Sequence, residues 1–130
     1  MTDIQMNRTT LEQDAIQLPT QIYSAWNKAS NAKLDLCRKK QELVVKRGHI
    51  ALQIRKNPTD YGLGNKNTPQ TLVESVINTD KEVQELNYRQ IQLQWNYEQY
   101  KNEAEALSKK LEVIIQLLHS LNLHDRVNTP

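Results

Sequence analysis

A quarter of the 130 residues are charged, only 38% are apolar and none is phenylalanine, which is little core for a compact globule of this length and suits an elongated helical protein that gains burial by self-association. No run approaches the ~18 apolar residues of a membrane span, "MTDIQMNRTT" lacks the apolar stretch of a signal peptide, and Cys37 stands alone, which excludes an internal disulfide framework or cysteine metal centre and makes a reducing cytoplasm the expected location. The net charge of +2 hides a polarised chain: residues 28–56 set nine bases against Asp35 and Glu42, while residues 1–27 carry −2, residues 57–69 balance and residues 70–130 carry −3.

Residues 1–19 read as a polar N-terminal segment in which "TTLEQDAIQL" makes a short helix, capped by Thr9 or Thr10 with Glu12 or Gln13 in its first turn. A basic first long helix spans 20–56, with Pro19 or Thr20 at its start, where proline is tolerated. Alternating steps of four and three from Ile22 pass through Trp26, Ala29, Lys33, Leu36, Lys40, Leu43, Arg47, Ile50 and Ile54. The three charged members are spaced by seven and share one face. Gly48 is a weak spot, costing about 1 kcal/mol against Ala in a helix interior.

The stretch "RKNPTDYGLGNKNTPQT", Arg55–Thr71, holds two of the three glycines and two of the four prolines. Pro58 disfavours helix at Asn57. Gly62 and Gly64 offer positive φ, and Pro69 is placed to start the next helix. Residues 57–69 therefore read as a flexible loop, a lip rather than a rigid pocket and longer than a minimal helix–helix turn. "GLGNKN" lacks the Gly-Lys-Ser/Thr half of a phosphate loop and no strand precedes it.

A second long helix is expected over 70–123, with 124–130 as a tail. Its heptad positions are Leu72, Val76, Thr79, Val83, Leu86, Gln90, Leu93, Tyr97, Tyr100, Ala104, Leu107, Leu111, Ile114, Leu118 and Leu121, thirteen of fifteen apolar or aromatic. That length of repeat argues for a coiled coil. The expected fold is all-α: an elongated, lopsided antiparallel helical hairpin whose second helix overhangs. Around the overhang, Leu111, Ile114, Ile115, Leu117, Leu118 and Leu121 cover more of the helix than one partner helix can bury. They read as an oligomerisation surface, unless the N-terminal segment folds back over them.

Catalysis finds no constellation. His119 and His124 are five apart, the wrong step for one helical face, and no carboxylate pair converges with them. No cofactor and no metal site is expected. The basic segment is the informative feature. Lys39, Lys40, Lys46, Arg47, Arg55 and Lys56 lead into a loop carrying Tyr61, and cations along a surface with an aromatic suit a nucleic-acid backbone and a stacked base. The plain alternatives are a solvated helix face, or a basic helix complementing an acidic one. Trp26 lies on the counted seam, and Trp95 lies off it as an exposed partner site or as packing.

Taken together, "IYSAWNKASNAKLDLCRKKQELVVKRGHIALQIR", the glycine-bearing loop, and "TLVESVINTDKEVQELNYRQIQLQWNYEQYKNEAEALSKKLEVI" resemble the UvsY family of bacteriophage recombination mediators. The resemblance covers roughly residues 20–115. It rests on Tyr23, Ser24 and Trp26 early in a long helix, on Ala51, Leu52 and Arg55 at the end of a basic helix, and on Thr79, Asp80, Lys81 and Val83 in the second. It implies a non-catalytic protein that forms a homo-oligomeric ring of about six or seven subunits through its C-terminal part. Such a protein binds single-stranded DNA. It helps load a RecA-like phage recombinase onto strands coated by phage single-strand-binding protein, in the host cytoplasm. Arg55 matches a DNA-contacting position, whereas Gln53 stands where the family has a lysine. Lys56, Lys46 and Arg47 are the expected substitutes. The other function class that fits the same heptads is a coiled-coil scaffold or adaptor in phage assembly.

Overall fold

The computed structural model describes residues 3–64 and 69–128, with side chains for residues 8–64 and 69–124. The described residues form an all-α structure: α1 (Asp3–Lys56), a 3-10 turn (Pro58–Tyr61), α2 (Gln70–Thr79) and α3 (Lys81–Asn128). The chain divides into two compact units, one of residues 1–30 with 97–130 and one of residues 31–96.

The N-terminal helix expected to end before Pro19 is instead continuous with the first long helix, and Pro19 lies inside α1. Proline removes one backbone donor and crowds the carbonyl four residues earlier. Pro19 is exposed, so water can satisfy what the helix leaves open, while Leu18, Ala25 and Ala29 are buried on the inward face. Within the expected loop, Pro58–Tyr61 form a 3-10 turn, in which Gly62 N–H bonds to Thr59 O at 3.2 Å and Leu63 N–H to Pro58 O at 3.0 Å. Gly62 closes that turn at φ 75°, a backbone state open to glycine. The remainder of the expected loop, residues 65–68, lies outside the described residues.

The expected second helix is broken at Asp80, whose backbone is extended at φ −66°, ψ 129°. Asp80 Oδ1 accepts the Val83 N–H at 3.1 Å, satisfying one of the orphan donors at the start of α3. The break changes the buried register. Before it Val73 and Ile77 are buried and Leu72 and Thr79 are exposed; after it Val83 is buried and every counted position from Leu86 to Leu121 is buried or half-buried. Ile77 and Val83 are six residues apart. In an unbroken helix they would face well away from each other, and the extended Asp80 lets both turn inward. The expected tail also differs, since α3 continues to Asn128.

The α1 seam keeps the positions Ala29, Leu36, Leu43, Ile50 and Ile54, but its companion row lies one residue earlier than the count. Ala25 and Ala32 are buried; Trp26, Lys33 and Lys40 are exposed. Lys33 and Lys40 therefore carry no burial cost. In the unit of residues 31–96 the core is Leu43, Ile50, Ile54, Val73, Ile77 and Val83, with Ala51, Leu63, Val76 and Leu86 packed against it. Burying each large aliphatic chain stabilises by about 1.5–3 kcal/mol.

In the unit of residues 1–30 and 97–130, the expected apolar overhang is partly covered. Ile114 is buried, Leu111, Leu118 and Leu121 are half-buried, and Ile115 and Leu117 are exposed. The N-terminal arm of α1 belongs to this same unit, but it continues α1 and does not fold back as a separate segment. No described helix is long and apolar enough to cross a membrane.

Candidate nucleic-acid interface

All seven residues of the predicted interface, Lys39, Lys40, Lys46, Arg47, Arg55, Lys56 and Tyr61, belong to the unit of residues 31–96. The α1 seam divides them. A helix advances 100° per residue, so Lys39, Lys46 and Gln53 line one edge of the Leu43–Ile50–Ile54 stripe, and Lys40, Arg47 and Arg55 line the other.

On the first edge the cations have acidic partners. Lys39 Nζ lies 2.9 Å from Glu42 Oε2. Lys46 pairs with Glu82 at the start of α3. The hydrogen bond to Glu82 is the main cause holding the Lys46 ammonium above its ordinary pKa, and the Glu82 and Asp80 charges add to it. Tyr61 sits on this edge too. Its hydroxyl donates to Gln53 Oε1 at 3.4 Å, and Gln53 Nε2 donates in turn to His49 Nε2 at 3.2 Å, which requires the ring proton on Nδ1. Lys46, Gln53 and Tyr61 share a cavity of about 500 Å³ with Lys81, Asp80 and Glu82. Its mixed charge makes it a poor phosphate site.

On the second edge the partners are neutral amides of α2. Arg47 Nη1 donates to Asn78 Oδ1 at 3.0 Å, and Arg55 Nη2 donates to Gln70 Oε1. Each hydrogen bond fixes a guanidinium without cancelling its charge. Lys40 is exposed one heptad before Arg47, and Lys56 ends the helix. Glu74, four residues from both Gln70 and Asn78, shares their face of α2. The sequence contained no direct signal for Gln70, Asn78 or Glu74 as neighbours, because their register depends on the break at Asp80.

Among the described residues no group of three or more His, Cys, Asp and Glu side chains could hold a metal ion, and Cys37 is an exposed free thiol. No protein-family model, curated protein or solved structure matches the chain.

Proposed function

We propose that this chain is a UvsY-like recombination mediator. In this reading it is a non-catalytic protein that holds single-stranded DNA and promotes loading of a RecA-like recombinase onto strands coated by single-strand-binding protein, in phage recombination, repair and recombination-dependent replication. The observation that carries the reading is the edge formed by Lys40, Arg47 and Arg55. Its two arginines are fixed on neutral amides, so they stay charged toward a phosphate backbone. The strand follows this edge rather than Lys39 and Lys46, whose charge is already met by Glu42 and Glu82.

The hairpin pairs the end of α1 with α2 and the start of α3, as the contacts Arg55–Gln70, Arg47–Asn78 and Lys46–Glu82 support. Subunits assemble into a ring through the end of α3, where Val113, Ile115 and Leu117 remain about half exposed. A ring repeats the basic edge, and weak sites then add by multivalency.

A second reading, a coiled-coil scaffold or adaptor, draws on the Lys46–Glu82 pair, which uses part of the basic charge within the fold. The two separate in a loading assay. A RecA-like recombinase is added to oligo(dT) coated with single-strand-binding protein, and its DNA-dependent ATP hydrolysis is followed with and without this chain. A mediator shortens the lag. A scaffold leaves the lag unchanged, and that result would end the mediator reading.

A further inference from the structure

We propose that the cavity beside Trp95 is a base-stacking subsite for single-stranded nucleic acid, separate from the Arg47–Arg55 edge. The inference rests on the reading that the chain binds such strands. Trp95 is 61% exposed, and Ile91, one turn earlier, is 68% exposed. One turn apart on α3, the ring and the aliphatic chain present a joint apolar surface to solvent. Trp95 lines a cavity of about 500 Å³ with Ile91, Leu93, Lys39 and Arg89, a size suited to a nucleotide.

The charge of that lining selects the occupant. Lys39 and Arg89 supply two cations, and no acid is among the lining residues. Lys39 is also engaged by Glu42, and Arg89 also lines the neighbouring cavity with Glu82 and Glu85, so the local charge is modest. Glu85 stands four residues before Arg89, the step for a helical pair, yet the two form no ion pair. A flat apolar ring flanked by cations fits a ligand that is itself flat and anionic. A base with its phosphate meets both demands, and stacking tolerates any base because each has a π-face. With so modest a local charge, stacking supplies most of the affinity here. Loss of the ring therefore weakens binding without changing the salt dependence that the arginine edge sets.

The test uses the full chain in a Trp26→Phe background, which leaves Trp95 as its only tryptophan. Oligo(dT) and an abasic strand of equal length are titrated while Trp95 fluorescence and strand anisotropy are read together. Oligo(dT) is expected to quench Trp95, and the abasic strand to bind with little quenching. Trp95→Ala in the wild-type chain is expected to weaken oligo(dT) roughly tenfold with an unchanged salt slope. Trp95→Phe, which keeps a ring, is expected to retain most of the affinity and guards against an alanine variant that fails to fold. Strand binding by the Trp26→Phe chain with no Trp95 quenching overturns the subsite and leaves the DNA-binding reading standing. So does a folded Trp95→Ala chain that binds as wild type. Absence of any strand binding by the wild type overturns the DNA-binding reading, and the subsite with it.

Discussion

Arg47 Nη1 donates to the side-chain carbonyl of Asn78 at 3.0 Å, while its neighbour Lys46 reaches Glu82 on the other side of the seam. Two adjacent cations on one helix thus meet different partners: one is held by a neutral amide, the other is paired with a carboxylate. The difference follows from the 100° step between them and from what α2 and α3 present on each edge.

Charge reversal separates the edges. Arg47→Glu and Arg55→Glu are expected to weaken oligo(dT) binding strongly. Removing one of these phosphate contacts, as in Arg47→Ala, should lower the salt slope by roughly one unit. Lys46→Glu is expected to act mainly on stability, by setting two acids side by side. Anisotropy over a salt series reads the first effect, and urea unfolding reads the second.

Glu74 makes the complementary prediction. It shares the α2 face of Gln70 and Asn78, so Glu74→Gln removes a charge that repels phosphate. Oligo(dT) should bind more tightly at low salt, and the gain should fade as salt screens the edge. Unchanged affinity at every salt would place the strand elsewhere.

The helix break depends on one carboxylate. Asp80→Ala deletes the cap on the Val83 N–H and should cost about 1 kcal/mol. Asp80→Asn, which retains a capping oxygen, should lose much less. Denaturant midpoints at neutral pH compare the two.

Two glycines should respond with opposite signs. A Cβ at Gly48 would meet nothing within 4 Å, so Gly48→Ala should stabilise α1 by about 0.5–1 kcal/mol. Gly62 holds φ 75°, so Gly62→Ala should destabilise by about 1 kcal/mol or more. Thermal melts of both variants test the pair.

The Lys46–Glu82 contact implies a pH dependence of definite sign. A lysine whose pKa is raised in the folded chain contributes stability that is complete below its unfolded value. That contribution is lost as pH climbs through the folded value. The part of the stability that Lys46 contributes should therefore fade in the alkaline range above about 10.4. In Lys46→Met this component should be absent, as urea midpoints across that range would show.

The helices were legible because the apolar spacing is regular and breakers are crowded near residues 57–69. What escaped has local physical causes. Trp26 counts as apolar and Ala25 as slight, yet the small side chain is the one buried at the seam. Pro19 looks like a boundary, but on an exposed face its missing donor is tolerated. Asp80 sits in a polar stretch of the heptad count, where its role as a cap disappears against an uninterrupted repeat. At the candidate site, the cluster of cations could be read from composition. Its division into an edge paired with carboxylates and an edge held by neutral amides could not, because that depends on which α2 and α3 side chains lie opposite.

The central claim is that the Arg47–Arg55 edge holds single-stranded DNA. Fluorescence anisotropy of labelled oligo(dT), titrated with wild type and with the Arg47→Glu, Arg55→Glu double variant at low and moderate salt, tests it most directly, with duplex as the comparison. Salt-sensitive binding that prefers the single strand, and that the double variant loses while keeping its helicity, is the predicted result. Equal binding by the two proteins, or no binding by wild type even at low salt, would contradict it.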